Sequence, residues 1–259
     1  MRWIDEGEAA DIETDVEHAA VRAAYEGWEG VDIIVHPAGP REKKLFVADM
    51  DSTMIGQECI DELADYAGVK PQVADITERA MQGELDFAGA LRERVALLEG
   101  LEERVIEQCL VDRIRPNQGA ATLVRTMRAR GADTVLVSGG FTAFVEPIAE
   151  RIGFNRFEAN ILGTREGKLT GVTEGRIVDS RVKHDVLVEA RGRLGLAADE
   201  TMAVGDGAND IPMVEEAGLG IAYRAKPALA AVADARLDHH GLDALLWAQG
   251  IPRAEWIDA

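Results

Sequence analysis

The 259-residue sequence contains only two cysteines, Cys59 and Cys109, and they form no CxxC pair. A disulfide framework or a zinc site needs more cysteines or a metal-binding spacing, so neither is predicted. No apolar run approaches the about 18 residues of a membrane span, and the start, MRWIDEGEAADIETD, has no basic leader followed by an apolar core. These absences argue against secretion and membrane insertion, so we expect a cytoplasmic protein with two reduced thiols.

Positive charge is also scarce. The sequence has 28 Lys and Arg against 47 Asp and Glu, which gives a formal net charge of −19. This excess argues against a nucleic acid or an anionic membrane as the partner. It would also repel an anionic small molecule at long range. A site for such a molecule would therefore need a local positive field from a metal ion, a lysine or helix N-termini.

Strands and helices alternate along most of the chain after residue 44. The apolar strands LFVA, DTVLVS, TMAVG and LGIAY are separated by segments with helical spacing, a pattern typical of a parallel sheet with helices on both faces. Residues 57–116 interrupt this pattern with helical segments that Gly or Pro breaks and no strand separates. Between residues 155 and 179 a polar stretch indicates strands or hairpins, with GKLTG and EGRIV as the candidates.

We therefore predict an α/β fold with a Rossmann-like, doubly wound parallel sheet core and an inserted helical cap domain. The core comprises residues 44–56 and 117–259, and the cap comprises residues 57–116. Residues 1–43 contain at most a helix over 15–26 and a strand from Val31 that Pro37 ends. This segment is too small for a core of its own, so we expect it to pack on the main body or on a partner chain, as in a homo-oligomer.

Polar, glycine-rich sequence follows three of the predicted strands, as ADMDST, SGG and GDGAND. Because ligands bind at the carboxyl ends of parallel strands, Asp49, Asp51, Asp206 and Asp210 are expected at one edge of the sheet. Clustered carboxylates repel one another, and a divalent cation relieves the repulsion. Oxygen ligands without His or Cys indicate Mg²⁺. Alone, DMD is more often a solvated turn and GDGAND a helix cap, but together they favour a metal site.

Two further polar residues suit an anion. Ser138 follows a strand and precedes two glycines and a helix, so its hydroxyl and the next amides suit an anion at a helix N-terminus, although Ser is also an ordinary helix cap. Lys183 lies near the start of a predicted helix, where a cation is unfavourable to the helix dipole. A solvated surface lysine is the ordinary interpretation, but a phosphate-holding role explains this placement.

In order and spacing, DMDST, the strand-borne SGG, Lys183 and GDGAND resemble the four motifs of the haloacid dehalogenase superfamily. The segments DSTMIGQECIDELA, ERAMQGELDF, LRERVALL and VSGGFTAFVEPIAERIG resemble one branch of it, over roughly residues 44–246. That branch hydrolyses O-phospho-L-serine to L-serine and phosphate, the final step of the phosphorylated pathway of serine biosynthesis. The resemblance therefore implies a Mg²⁺-dependent phosphatase that works through an aspartyl phosphate.

The resemblance also implies roles for the acidic residues. Asp49 would be the nucleophile, and Asp51 would protonate the leaving serine oxygen and then activate water. Mg²⁺ would be held by the carboxylates of Asp49 and Asp206 and the backbone carbonyl of Asp51, with Asp210 behind them. The groups implied around the phosphoryl oxygens are Ser138, the Gly139 amide, Lys183 and Asn209.

The same resemblance implies how the substrate is recognised. Glu58 would hold the ammonium group and Arg94 would bind the carboxylate, whereas without the resemblance Glu58 is an acid at a helix start and Arg94 a solvated residue. Met81 and Phe87 are implied as apolar walls, with packing inside the cap as the alternative. The helical cap would act as a lid over the reaction.

Three alternatives remain open at this stage. The chain is a phosphotransferase that passes the phosphoryl group from phosphoserine to another hydroxyl such as homoserine, a phosphatase for another small phosphomonoester, or a non-catalytic binding protein. The presence of Asp49, Asp51 and Lys183 argues against the last. Larger relatives often carry a regulatory-type domain before the catalytic body, so residues 1–43 are either a shortened remnant of such a domain or the product of a start site chosen too late.

Overall fold

The computed structural model describes residues 1–36, 39–82 and 84–258 of the chain. The strands are β1 (Arg2–Asp5), β2 (Ala9–Asp11), β3 (Leu45–Ala48), β4 (Asp133–Phe141), β5 (Arg156–Arg165), β6 (Lys168–Glu174), β7 (Thr201–Gly205), β8 (Gly220–Tyr223) and β9 (Ala235–Leu237). The α-helices are α1 (His18–Tyr25), α2 (Cys59–Tyr66), α3 (Lys70–Met81), α4 (Phe87–Ala96), α5 (Arg104–Asp112), α6 (Ala120–Ala129), α7 (Thr142–Ile152), α8 (Ser180–Leu194), α9 (Ile211–Glu216), α10 (Pro227–Ala230) and α11 (Ala244–Ala248).

Within these ranges, β3 to β9 form one seven-stranded sheet in the order β6-β5-β4-β3-β7-β8-β9. All neighbouring strands in it are parallel except β5 and β6, which form an antiparallel hairpin at one edge. The predicted doubly wound α/β core is confirmed, with a mixed rather than an all-parallel sheet. The candidate strand GKLTG lies in β6 except for Gly167, but EGRIV was wrong beyond Glu174, because Gly175 adopts a left-handed φ of 73° and ends the strand.

The central strand β3 is buried on both faces. Its alternate residues enter two different hydrophobic clusters: Phe46 and Ala48 belong to one cluster, and Leu45 and Val47 belong to the other. All four side chains have no exposed surface. Helices therefore cover both sides of the sheet, which explains why the strand is a continuous apolar run rather than an alternating one.

Helices α2 to α5 follow one another between β3 and β4. The segment between α4 and α5 is bonded to β6, at the edge of the sheet. The Gly100 N–H donates to the Leu169 carbonyl, and the Leu169 N–H donates to the Leu101 carbonyl, both at 2.9 Å. The exact bounds of core and cap stay a prediction. Among the residues that the structure describes, no helix has the length and apolar character needed to cross a bilayer.

The described part of the first 43 residues packs on the main body, and only the helix among its predicted elements is present. Helix α1 falls inside the predicted range, and an unpredicted hairpin of β1 and β2 precedes it. The strand predicted from Val31 was wrong, because residues 31–36 form no ladder and Pro37 lies outside the described residues. Instead the Asp32 carboxylate holds this stretch. It accepts the N–H groups of Asp238, His239 and His240 at 2.7–3.2 Å.

Replacing Asp32 by Ala should release this segment. The change leaves three backbone N–H groups and the His240 ring without their acceptor, and each lost bond to a charged group is worth about 1.5–3 kcal/mol. Trypsin should then cleave after Arg22 at least about tenfold faster, the factor for about 1.4 kcal/mol of local opening free energy. Asp15→Ala, at an exposed acid of the same segment, is the control. Unchanged cleavage in Asp32→Ala would contradict the anchoring role.

Candidate active site

The end of β3 delivers two aspartates with different surroundings. Asp49 follows the strand directly, is 4% exposed, and its N–H donates to the Val204 carbonyl at 3.0 Å. The chain then turns, and Ser52 adopts a left-handed φ of 56°, a conformation that residues other than glycine seldom adopt. The turn directs the Asp51 carboxylate to α2, where it accepts the Cys59 N–H at 3.1 Å. The two carboxylates are therefore fixed by different parts of the structure, Asp49 next to β7 and Asp51 at the start of α2.

Lys183 forms a buried ion-pair triad with two carboxylates. Its Nζ lies 2.6 Å from Asp49 Oδ1 and 2.8 Å from Asp210 Oδ1, and the three side chains are at most 5% exposed. Burial by itself would lower the pKa of Lys183, but the Asp210 and Asp49 carboxylates raise the pKa above its usual value. The lysine is therefore a fixed ammonium ion inside the sheet edge.

Asp210 also shapes the loop after β7. Its Oδ1 accepts from Lys183, and its Oδ2 accepts the N–H groups of Asp206 and Gly207 at 3.2 and 3.1 Å. Gly205 allows this approach, because a Cβ there would lie 2.4 Å from the Asp210 carboxyl carbon. Both oxygens of Asp210 therefore already have donors.

Three buried carboxylates lie close enough to share a cation. Oxygen atoms of Asp49, Asp206 and Asp210 all lie within 4.8 Å of one another. Burial, and then the charge of Asp210, raises the pKa of Asp49 well above its usual value, and burial raises the pKa of Asp206. Lys183, together with Lys226 beside Asp206, does not balance the charge of three carboxylates. The set of oxygen donors therefore fits a divalent metal ion.

The SGG segment lies inside β4 and does not cap a helix, since α7 begins only at Thr142. Ser138 is fully buried; its Oγ accepts the Gly140 N–H at 2.9 Å and lies 3.5 Å from Asp51 Oδ2. A Cβ at Gly140 would lie 2.9 Å from that same Asp51 oxygen. The expectation that this serine lies at a helix N-terminus was therefore wrong, because it lies within a strand, but its hydroxyl does reach Asp51.

The half-buried Asn209 lies in the segment that follows β7, with its side-chain oxygen 2.7 Å from where a Cβ of Gly207 would stand. Phe87, at the start of α4, contacts the SGG segment, because a Cβ at Gly139 would lie 3.0 Å from its ring. The side chain of Met81, the other predicted wall, lies outside the described residues. The cap thus contributes at least one apolar ring to the site.

Glu58 and Arg94 extend the site toward the cap. Glu58 accepts the Ser52 hydroxyl at 2.7 Å, and burial, followed by the charge of Asp51, raises its pKa to about 7. The half-buried Arg94 donates to the Ala90 carbonyl at 3.3 Å, and no described carboxylate forms an ion pair with it. Burial lowers the pKa of Arg94, while Asp61, Glu58 and Asp51 oppose that shift. The guanidinium therefore has donors left for a ligand.

Lys226 is a site residue that the sequence reasoning missed. Its Nζ lies 3.3 Å from Asp206 Oδ2, although the side chain is 62% exposed. Burial would lower the pKa of Lys226, but Asp206 raises it. The residue follows β8, so the rule that found the other strand ends also covers this position. A single lysine after a strand, without a motif around it, does not predict a site residue.

Comparison with known proteins assigns the class. A family model described as haloacid dehalogenase-like hydrolase matches residues 43–218. A haloacid dehalogenase family hydrolase of Salmonella enterica serovar Typhi has a TM-score of 0.82 at 32% identity, covering 89% of this chain and 79% of that one. The fold and the site therefore define a haloacid dehalogenase-like hydrolase.

Relatives with higher sequence identity are described as phosphoserine phosphatases. The phosphoserine phosphatase of Albidiferax ferrireducens is 46% identical over 208 residues, which cover 78% of this chain and 88% of that protein. A solved phosphoserine phosphatase described as a phospho-aspartyl intermediate analogue is 41% identical with a TM-score of 0.73, covering 80% of this chain and 98% of that one. The chain belongs to the phosphoserine phosphatase family of these hydrolases.

The two lysines of the site should differ sharply in their effect on stability. In EDTA, Lys183→Met should lower the free energy of unfolding by about 3–5 kcal/mol, because two buried carboxylates lose their counter-charge. Lys226→Met should change it by at most about 1 kcal/mol, because the lysine side chain is 62% exposed and solvent screens its pair with the buried Asp206. Urea unfolding of both variants measures the difference. Equal, small losses would contradict the buried triad.

Proposed function

We propose that the chain hydrolyses O-phospho-L-serine to L-serine and inorganic phosphate through an aspartyl phosphate on Asp49. The observation that carries this proposal is the buried Asp49 carboxylate, 2.6 Å from the Lys183 ammonium and inside a cluster of acids. Arg94, which forms no ion pair with any described carboxylate, and the hydrogen-bonded Glu58 add groups on the cap side for a zwitterionic substrate. The relatives named as phosphoserine phosphatases support the same substrate.

The reaction runs in two displacements. An Asp49 oxygen attacks phosphorus, the bond from phosphorus to the serine oxygen breaks, and that oxygen takes a proton from Asp51. A water molecule then gives a proton to Asp51 and attacks the same phosphorus, so that the bond to Asp49 breaks and phosphate leaves. Cys59 and Ser138, which contact the Asp51 carboxylate, keep it in place for both proton transfers.

The buried acids would hold Mg²⁺ through the Asp49 and Asp206 carboxylates and the Asp51 backbone carbonyl. Asp210 stays behind them, because its oxygens already accept from Lys183 and two backbone amides. When bound there, the metal ion would supply positive charge for the phosphoryl oxygens.

Four neutral or cationic groups of the chain itself would bind the phosphoryl oxygens. They are the Ser138 hydroxyl, the Gly139 amide, the Lys183 ammonium and the Asn209 carboxamide. Fixed donors of this kind stabilise developing charge because they need no reorientation during the reaction. They would also let a chain of net charge −19 bind an anionic substrate.

Substrate choice would depend on the cap side of the site. Arg94 would bind the serine carboxylate, and Glu58 would bind the ammonium group. Without these partners, the two charged groups of the substrate would lose their hydration and gain nothing in its place. The helices of the cap would close over the substrate and exclude bulk water during the transfer. A cytoplasmic location and a homo-oligomer stay predictions.

A phosphate-release assay tests the function directly. With Mg²⁺ and phosphoserine alone, we expect equal amounts of serine and free phosphate, and EDTA should abolish both. Adding homoserine as an acceptor should leave free phosphate unchanged. Little free phosphate without an acceptor would instead identify a phosphotransferase, and faster release from another small phosphomonoester would contradict the assigned substrate.

Arg94→Ala should change substrate selectivity. The ratio kcat/KM for phosphoserine should fall roughly 10- to 150-fold, the factor for a lost charge-assisted bond of about 1.5–3 kcal/mol. The value for phosphoethanolamine, which lacks the carboxylate, should change little. Arg92→Ala, at an exposed residue of the same helix, should affect neither ester. Equal losses on both esters in Arg94→Ala would count against the carboxylate contact.

A further inference from the structure

Asn160 in β5 is a buried polar residue for which the proposed mechanism has no role. The residue is 1% exposed, and both ends of its side-chain carboxamide are bonded to backbone. Its Nδ2 donates to the Gly139 carbonyl at 2.8 Å, and its Oδ1 accepts the Val178 N–H at 2.8 Å. One side chain thus joins two segments that are distant from each other in the sequence.

The first of these segments is the irregular part of β4. The pairing of β4 with β5 shifts register between Val137 and Phe141, and Phe141 is the residue opposite Asn160. Residues 138–140 therefore leave the regular ladder. The Asn160 carboxamide supplies the hydrogen bond that the Gly139 carbonyl has lost from the ladder.

This bond also orients the serine of the site. The Gly139 carbonyl and the Gly140 N–H belong to one peptide group, whose N–H donates to Ser138 Oγ at 2.9 Å. Fixing the carbonyl end of that rigid plane fixes the N–H end as well. The hydroxyl oxygen of Ser138, which lies 3.5 Å from Asp51 Oδ2, is thereby held in one place.

The second segment leads into α8, the helix that carries Lys183. Val178 is 1% exposed, and the next residue caps the helix: Asp179 Oδ1 accepts the Val182 N–H at 3.0 Å, and its carbonyl accepts the Lys183 N–H at 3.1 Å. The Val178 carbonyl also lies only 3.6 Å from where a Cβ of Gly139 would stand. The two segments are therefore in contact, and Asn160 bonds to both.

We propose that Asn160 is a positioning residue that sets the spacing between the Ser138 hydroxyl and the Lys183 ammonium, so that both address one phosphoryl group. The inference rests on the proposed function. A carboxamide suits the role because it offers one donor and one acceptor on a short, neutral side chain. An ionised aspartate lacks the donor, and a leucine of similar size lacks both groups.

Steady-state kinetics of the full chain with Mg²⁺ and phosphoserine tests the role. Asn160→Leu should lower kcat/KM at least about tenfold, because misplacement by about 1 Å can cost about 100-fold. Asn160→Asp keeps the acceptor for the Val178 N–H but loses the donor to Gly139, so it should also lower kcat/KM. It serves as the second variant if the leucine form does not fold.

Asn155→Leu is the matched control. Asn155 lies just before the first residue of the same strand, whereas Asn160 lies within it, and the Asn155 Oδ1 accepts the Thr134 N–H and hydroxyl, both at 3.0 Å. Losing these bonds should lower the melting temperature but leave kcat/KM within about twofold, since they hold Thr134 near the start of β4 rather than the segment that contains Ser138. A kinetic defect as large in Asn155→Leu as in Asn160→Leu would reduce Asn160 to a purely structural role.

A double-mutant cycle shows whether Asn160 acts through the serine. In a Ser138→Ala background, Asn160→Leu should cost at most about a third of its effect in the wild type, because the oriented hydroxyl is already gone. Fully additive effects, or a wild-type kcat/KM in both Asn160 variants, would overturn the proposal.

Binding of inorganic phosphate separates this inference from the proposed function. If the wild-type chain does not turn over phosphoserine, the proposed function fails, but calorimetry with Mg²⁺ and phosphate still tests Asn160. Asn160→Leu should raise the phosphate Kd at least about fivefold relative to the wild type and Asn155→Leu. Equal Kd values in all three proteins would overturn the positioning role.

Discussion

The arrangement of the site depends on one buried ammonium ion between two carboxylates. Lys183 lies within 2.8 Å of both Asp49 and Asp210, and none of the three is more than slightly exposed. The Asp49 and Asp210 carboxylates lie within 4.8 Å of each other, so without a cation between them they would repel each other. Because Asp49 ends β3, Lys183 lies in α8 and Asp210 follows β7, this ion-pair triad fixes three elements of the sheet edge relative to one another.

The core of the fold and the acids of the site were predictable because their signals are local. A continuous apolar strand followed by polar, glycine-rich sequence indicates a buried parallel strand with a ligand end. Asp49, Asp206 and Asp210 all follow such strands, and the fold brings them within 4.8 Å. The strand expected from Val31 failed for the opposite reason. That stretch is held by Asp32, whose partners lie 206 to 208 residues away, and no local pattern reports such a contact.

Lys226 and Asn160 show where sequence reasoning stops within the site. A lone lysine after a strand is ordinarily a solvated surface residue, and only the fold places it 3.3 Å from Asp206. Asn160 is buried in β5, a strand whose other residues are mostly exposed or half-buried. Its partners are backbone atoms 21 and 18 residues away, so they leave no trace in residue type or spacing. The residues that hold the site together are thus harder to predict from the sequence than those proposed to act on the substrate.

The central claim is that the phosphoryl group passes through the Asp49 side chain. The most direct measurement is peptide mapping of enzyme quenched in acid during turnover of isotopically labelled phosphoserine with Mg²⁺. We expect the label on the peptide that contains Asp49, at that residue, and its loss in Asp49→Asn. Label on any other residue, or turnover by Asp49→Asn at the wild-type rate, would contradict the claim.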